Sequence, residues 1–118
     1  MLILLYGSDS YCRQKELNKI VRDFREKHPQ AVFESFIFEE ESENEEFLRL
    51  QEFALNQSLF SLNKLVILEN VWKSEIKDIK KFLKANTENE DLTIVISEEK
   101  SPTSSFKFLL DKAHTIQE

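Results

Sequence analysis

Short apolar runs, separated by segments of helical length, limit most strongly how this chain can fold. The runs at 2–6, 65–68 and 92–96 are apolar at successive positions, and the segment at 32–38 is rich in phenylalanine and β-branched residues. Continuous apolar runs of this length are typical of strands buried on both faces. Strands joined by helix-length connections pair in parallel, with helices covering both faces of the sheet. The pattern predicts an α/β domain.

Helical periodicity fills the intervening segments. Leu17, Ile20, Val21 and Phe24 recur at the spacing of one helix face, from a start near Ser10 until proline 29 ends the helix. Six glutamates between positions 39 and 46 lie around the start of the next helix, where negative charge suits the helix dipole. The same reasoning predicts the remaining elements: this helix continues through Leu55, further helices cover 76–83 and 104–112, and a fifth strand lies at 113–116.

Composition and net charge limit the classes of function that this chain can have. The chain has 118 residues, a net charge of −6 and one cysteine, which indicates one domain without a disulfide and suits the reducing cytoplasm. No apolar run reaches the roughly 20 residues of a membrane helix, and the amino-terminal run lacks the flank of a signal peptide. Nucleic-acid binding over a whole face needs a positive surface, so only a local basic patch could contact DNA.

The loop after the first strand has the frame of a phosphate-binding loop without its chemistry. Gly7 matches the first glycine of G-x-x-x-x-G-K-[ST], but Cys12, Arg13 and Gln14 stand where glycine, lysine and a hydroxyl residue are needed. Arg13 keeps a positive charge, whereas no hydroxyl is available for magnesium. Gly7 is the one glycine of the chain, which indicates a turn that needs a missing Cβ. A structural turn is therefore favoured over nucleotide binding.

Further polar positions have a catalytic and a plainer interpretation. Glu69 follows the third strand, at the position of a magnesium-holding acid, and Ser97 follows the fourth strand, at the position of a polar sensor. An acid or a serine at such a position is more often an ordinary loop residue than a catalytic one. Cys12 at a helix start suggests a nucleophile, although a small buried cysteine is the commoner case. Lysines recur on one predicted helix, where a solvated face is favoured over a phosphate site: Lys73, Lys77, Lys80, Lys81 and Lys84.

The connector before the third strand is unusually apolar for a loop. Leu59 and Phe60 are adjacent large side chains between a predicted helix end and a predicted strand start. Such side chains either turn back into the core or protrude and are captured by a partner. Base rates favour the core.

The order of these motifs resembles the N-terminal domain of the delta subunit of the bacterial DNA polymerase III clamp loader. The resemblance covers essentially residues 1–118, as the first of three domains. It depends on the opening strand and turn at 4–11, LLYGSDSY, and on Ser58, Leu59 and Phe60 leading into the strand at 64–68, KLVIL. Each motif is short, and their order and spacing together carry the likeness.

The resemblance implies a three-layer, P-loop NTPase-like fold of the AAA+ type with a degenerate nucleotide site, no cofactor and no ATPase activity. That site would comprise Gly7, Cys12, Arg13, Gln14 and Glu69. The family's delta subunit grips the sliding clamp with a Leu-Phe pair and helps to open it during replication. The clamp-binding residues would be Asn56, Gln57, Ser58, Leu59 and Phe60, with the departure that clamp-binding peptides commonly begin with glutamine where this chain has Asn56.

The resemblance also defines expected partners and missing parts. Lid and collar domains follow in the family, and the collar joins the other clamp-loader subunits, so residues 1–118 would be one excised domain that binds the clamp but does not assemble a loader. DNA contact would be indirect or weak, and no membrane partner is expected. Within the holoenzyme this domain would be a non-catalytic part of a DNA-directed DNA polymerase complex in the cytoplasm.

Two other functions stay open from sequence. A receiver-like signalling domain also alternates strands and helices at this length, with Asp9, Glu69 and Lys100 as poor substitutes for its acid pair, phosphorylated aspartate and lysine. A degenerate nucleotide-binding α/β domain is the other alternative. Labelling with acetyl phosphate tests the receiver-like function, and titration with ATP and magnesium tests nucleotide binding.

Overall fold

The computed structural model describes residues 1–55, 63–74 and 77–117. Strands and helices alternate along these ranges, as the apolar pattern predicts. The five strands are β1 (Leu2–Tyr6), β2 (Val32–Ile37), β3 (Lys64–Glu69), β4 (Leu92–Glu98) and β5 (His114–Gln117). The helices are α1 (Ser10–Lys27), α2 (Glu43–Leu55), α3 (Lys77–Ala85) and α4 (Leu109–Lys112), with a 3-10 turn at Ser104–Phe106.

All five strands form one parallel sheet in the order β2-β3-β4-β1-β5. The chain therefore leaves β1 towards one edge of the sheet, and then returns through β3 and β4 to β5 at the other edge. Since crossovers between parallel strands are right-handed, these opposite directions place α1 on one face and the later helices on the other. The predicted α/β class with helices on both faces is confirmed.

Two apolar cores lie on opposite faces of the sheet. Alternate residues of a strand point to opposite faces, so the neighbours Leu4 and Leu5, both fully buried, belong to different cores. The smaller core lies under α1 and includes Leu17. The larger core lies under the other helices and includes Phe47, Leu50, Ile79, Leu83, Phe106 and Leu109.

Helix α1 follows the prediction closely. Asp9 is its N-cap, and the Asp9 carboxylate accepts a hydrogen bond of 3.1 Å from the Cys12 N–H. This bond holds the pKa of the Asp9 carboxyl below its usual value. At the other end the His28 N–H donates to the Phe24 carbonyl, and the helix stops before Pro29, which cannot continue it.

Strand β2 departs from the expectation that the strands are apolar on both covered faces. Phe36 is fully buried under α2, whereas Phe33 and Ile37, on the opposite face, are about two-fifths exposed. Because β2 is an edge strand and α1 covers the face nearer to β1, the α1 side of β2 is only partly covered. Its outer edge is occupied by α2: Arg49 donates to the Ser35 carbonyl oxygen, and the Ile37 N–H donates to Glu46.

Helix α2 begins at Glu43, inside the glutamate run, as the sequence predicted, because that run supplies its first turn. One later boundary differs from the prediction. The predicted helix over 104–112 is wrong as a single element: a 3-10 turn ends at Phe106, and α4 begins at Leu109. Both of these residues are buried, so the chain bends to place each in the larger core. No helix in the described ranges has the length and apolar character needed to cross a bilayer.

Candidate functional site

The strand order brings three loops together at the carboxyl edge of the sheet. Strand β4 lies between β1 and β3, so the turn after Tyr6, the residues after Glu69 and the residues around Ser97 are neighbours. Ligands of open parallel sheets bind beyond this edge. A crevice of about 460 Å³ opens here. It is lined by Arg13, Glu69, Asn70, Trp72, Lys73, Ser97, Glu98, Glu99, Lys100, Ser101 and Thr103.

Gly7 forms the turn that the sequence predicted. Its φ angle is +156°, in a region that favours glycine, and the residue is buried. The Gly7 N–H donates a hydrogen bond of 3.1 Å to the Glu98 carbonyl oxygen. The backbone angle by itself gives the missing Cβ a structural reason.

The three residues at the other phosphate-loop positions point to different surroundings. The Arg13 guanidinium donates to the Gly7 carbonyl oxygen and lines the crevice. The Gln14 amide is exposed and donates to Asn18 one turn further along α1, at 3.0 Å, which directs it along the helix surface. Cys12 is half-buried, so the expectation of a fully buried cysteine is wrong. It lies in the first turn of α1, where the side chain stays near the surface.

Glu98 is the residue of this crevice that the sequence reasoning missed. Only 7% of it is exposed, and its Oε2 atom accepts hydrogen bonds from the backbone N–H groups of Val71 and Trp72. Burial raises the pKa of the Glu98 carboxyl to about 7, against the two N–H donors and the charge of Arg13, which favour the ionised form. No sequence signal was available for Glu98, because its pairing with Tyr6 inside the sheet depends on the strand order.

Glu69 and its neighbours shape the opposite wall. Glu69 is half-buried, lines the crevice and raises the pKa of Glu98 through like charge. Asn70 has a φ of +62°, which turns the chain sharply away from β3. The Trp72 indole N–H then donates to the Lys100 carbonyl oxygen at 2.8 Å. The loops after β3 and β4 are thus tied together.

Acidic and basic side chains are balanced in the lining of the crevice. Glu69, Glu98 and Glu99 are matched in number by Arg13, Lys73 and Lys100, so its lining has no strong net charge. In the described ranges, no three histidine, cysteine or acidic side chains come together as a metal site. Ser97 lies in the lining, as the sensor interpretation required, but it is a buried residue at the end of β4.

The lysines of the α3 region occupy separate positions. Lys73, Lys77, Lys81 and Lys84 are exposed, and the Lys84 ammonium lies 4.9 Å from the centre of the Phe108 ring. Lys80 is half-buried. These positions are largely exposed to solvent, which is the interpretation that the sequence favoured.

The predicted clamp-binding residues, Asn56, Gln57, Ser58, Leu59 and Phe60, lie outside the described residues. The elements on either side are described: α2 ends at Leu55, which is 82% exposed, and β3 begins at Lys64. The start of β3 lies at the amino edge of the sheet, opposite the crevice at the carboxyl edge.

The strand order also separates this chain from receiver-like domains. The flavodoxin-like order that receivers share is 2-1-3-4-5, with β1 next to β2. Here β1 lies between β4 and β5, and β2 is at the edge. Asp9, the nearest substitute for the receiver acid pair, caps α1.

Comparison with known proteins identifies no family for this chain. No family model matches it, and no curated protein matches it.

Proposed function

We propose that this chain is a non-catalytic domain of the clamp-loader delta type, which binds a sliding clamp and favours the clamp's open form. In this proposal residues 1–118 are the first domain of a longer subunit. That subunit acts in the cytoplasm within the DNA polymerase III holoenzyme, with the other loader subunits bound through its later domains. Contact with DNA is indirect or weak, and neither a membrane nor a cofactor is involved.

The proposal depends on one observation at the carboxyl edge of the sheet. Residues at the positions of a nucleotide site form hydrogen bonds within the chain, in place of the groups that would bind a nucleotide. Strand β4 between β1 and β3 aligns the turn at Gly7, the acid Glu69 and the polar residue Ser97 at one edge. This is the relative placement that a phosphate loop, a magnesium acid and a sensor need in an AAA+ type domain. An ancestry in such domains explains why the frame is present.

The hydrogen bonds that these residues form within the chain support a non-catalytic role. A phosphate loop leaves backbone N–H groups and a lysine free to surround phosphate. In this chain the Gly7 N–H donates to the Glu98 carbonyl oxygen, and the Arg13 guanidinium donates to the Gly7 carbonyl oxygen. Gln14, at the magnesium-hydroxyl position, bonds to Asn18. Nucleotide binding would have to break these contacts and would gain no metal ligand at that position.

The sequence between α2 and β3 supports the clamp-binding assignment. Leu59 and Phe60 are adjacent large apolar residues between the end of α2 at Leu55 and the start of β3 at Lys64. Burying one leucine and one phenylalanine contributes on the order of 3–6 kcal/mol before the costs of association. An aliphatic and an aromatic anchor in one pocket suit an interaction hot spot. Opening of the clamp then depends on tighter binding to the open than to the closed form.

Calorimetric titration of the domain with the sliding clamp of its own organism tests this function. We expect the wild-type chain to bind, and the double variant Leu59→Ala/Phe60→Ala to lose at least about 100-fold in affinity while remaining folded. The matched control is Phe33→Ala/Leu110→Ala, which truncates two partly exposed apolar residues elsewhere and should bind as the wild type does. A folded wild-type domain that does not bind the clamp overturns the proposal.

A further inference from the structure

Helices α1 and α2 carry opposite charge and pack on opposite faces of the sheet. Helix α1 has six basic and three acidic residues, whereas α2 has four acidic residues and one basic residue, Arg49. Their net charges are therefore +3 and −3, in a chain whose total is −6. Charge of opposite sign is thus concentrated on two separate surfaces of one molecule.

Helix α1 presents an exposed basic row, which consists of Lys15, Asn18 and Arg22. Residues at positions i, i+3 and i+7 lie on the same side of a helix, so these side chains are neighbours. All three are exposed, whereas Leu17 points into the smaller core. Arg25 extends the row by one turn, and its guanidinium lies 4.8 Å from the centre of the Phe33 ring. The row is an elongated cationic surface.

Helix α2 presents an exposed acidic row with the same spacing, which consists of Glu45, Leu48 and Glu52. Both glutamates are exposed, and Leu48 between them is 60% exposed. The buried residues of α2, Phe47 and Leu50, lie on the side of the helix that packs on the sheet. The acidic row is therefore an outward surface with an apolar centre between two carboxylates.

The charges of both rows are not ion-paired within the described part of the chain. The ion pairs there are those of Arg49 with Glu34 and with Glu46. Glu26 lies one turn from Arg22 but forms no ion pair with it. Arg49, the one basic residue of α2, is occupied by its own two glutamates. Both rows can therefore pair with a surface of opposite charge on another molecule.

The two rows complement each other in charge and in spacing. In each row the charged residues are seven positions apart, which is about 10.5 Å along the helix axis. When α2 of one copy lies antiparallel on α1 of another, Glu52 meets Lys15. In the same alignment Glu45 meets Arg22, and Leu48 lies against the aliphatic stems of the two cations. Antiparallel packing also brings the opposite ends of the helix dipoles together.

We infer that the acidic row of one copy of this chain docks on the basic row of a second copy. The contact is between molecules, because the sheet separates the two rows within one chain. A second copy supplies both the carboxylates and the apolar group, whereas a nucleic acid would leave the acidic row without a partner. The inference goes beyond clamp binding, which does not depend on it.

The geometry determines what kind of assembly results. Because two different surfaces meet, the interface is heterologous, so each pair leaves one basic and one acidic row unused and further copies can add. Exposed ion pairs are individually weak, and this contact belongs to the small, transient class of interfaces. We expect a dissociation constant on the order of 0.1–1 mM.

Sedimentation equilibrium at protein concentrations up to about 1 mM tests the contact. We expect the average mass of the wild type to rise with concentration in about 20 mM salt and to return to the monomer mass in about 0.5 M salt, because salt screens exposed charges. Two charge-reversal variants, Lys15→Glu/Arg22→Glu and Glu45→Lys/Glu52→Lys, should each associate at least about tenfold more weakly. The matched control, Lys77→Glu/Lys81→Glu, makes the same charge change at exposed positions of α3 and should associate as the wild type does.

An equimolar mixture of the two reversal variants distinguishes row pairing from other effects of charge. Each reversed row meets a row of opposite sign on the other variant, so the mixture should regain association to within about threefold of the wild type. The variant Glu45→Lys/Glu52→Lys has a smaller net negative charge than the wild type, so repulsion between whole molecules cannot explain its loss of association.

The outcomes that contradict the inference are specific. A folded wild type that stays monomeric at low salt overturns it, also when the basic row then binds a thymidine oligonucleotide, which would make a nucleic acid the occupant. Association that survives both reversals, or that the mixture does not regain, overturns it too. Should a reversal variant fail to fold, Lys15→Gln/Arg22→Gln and Glu45→Gln/Glu52→Gln replace the pair, and unchanged association in either is equally contrary. No clamp is present in these measurements, so clamp binding stands or fails separately.

Discussion

The guanidinium of Arg13 donates to the carbonyl oxygen of Gly7, so the residue at the lysine position of a phosphate-loop frame closes the turn that would surround a phosphate. The turn is also held from the β4 side, by the Gly7 N–H bonded to the Glu98 carbonyl oxygen. Both polar groups of Gly7 are thus used within the chain.

Replacing Arg13 tests whether that contact is structural. We expect Arg13→Ala to lower the free energy of unfolding by about 1–2 kcal/mol, because a charge-assisted hydrogen bond to a buried turn is lost. Urea denaturation measures the loss, and Arg22→Ala, an exposed arginine on the same helix, is the control. Neither variant nor the wild type should hydrolyse ATP. Turnover by the wild type that disappears in Arg13→Ala would contradict the non-catalytic assignment.

Glu98 makes stability depend on pH near neutrality. Its pKa is raised from 4.5 to about 7 in the folded chain, so the folded state binds a proton more tightly than the unfolded state does. The resulting stabilisation is complete below the unfolded pKa and is lost as pH rises through about 7. We expect the wild type to lose about 2 kcal/mol between pH 5 and 8 relative to Glu98→Gln.

Urea denaturation of both chains across that pH range measures the Glu98 effect. The difference between the two chains isolates Glu98, because other titrating groups, including the amino terminus with its lowered pKa, are common to both. Parallel stability curves for the two chains would show that Glu98 does not titrate in this range.

The two faces of β2 provide a matched pair of substitutions. Phe36→Ala should cost about 3–5 kcal/mol of unfolding free energy, because it leaves a cavity in the larger core, where Phe36 is fully buried. Phe33→Ala removes the same atoms from a side chain that is 41% exposed, and we expect about 1 kcal/mol or less. Thermal or urea unfolding compares the two. Equal losses would mean that the α1 side of β2 is covered in solution.

Substitutions of Arg49 and Glu46 measure how much ion pairing at the edge of β2 contributes to stability. Arg49 Nε lies 3.1 Å from Glu46 Oε1, and the Arg49 side chain is 43% exposed. The hydrogen bond from Arg49 lowers the pKa of the Glu46 carboxyl. In a double-mutant cycle with Glu46→Gln and Arg49→Met we expect a coupling of about 0.5 kcal/mol that decreases in 1 M salt. A coupling that salt leaves unchanged would point to the hydrogen bonds to Ser35 and Ile37 instead.

Local sequence patterns account for the alternation of elements, the parallel sheet and the two ends of α1. Continuous apolar runs can be buried only on two covered faces, and Asp9 and Pro29 act on the backbone beside them. These are local causes, and they can be read from neighbouring residues. The turn at Gly7 belongs to the same class.

Which polar residues meet depends on how the strands are ordered in the sheet. The strand order places Glu98 of β4 beside Gly7 and Val71, although they are distant in sequence, and burial at that junction raises its pKa. The same holds for Lys64, whose partners lie in α2. A lysine or glutamate at a strand end is usually solvated, so nothing local distinguishes these two. Their roles arise from desolvation and from long-range hydrogen bonds, which depend on how the strands are ordered.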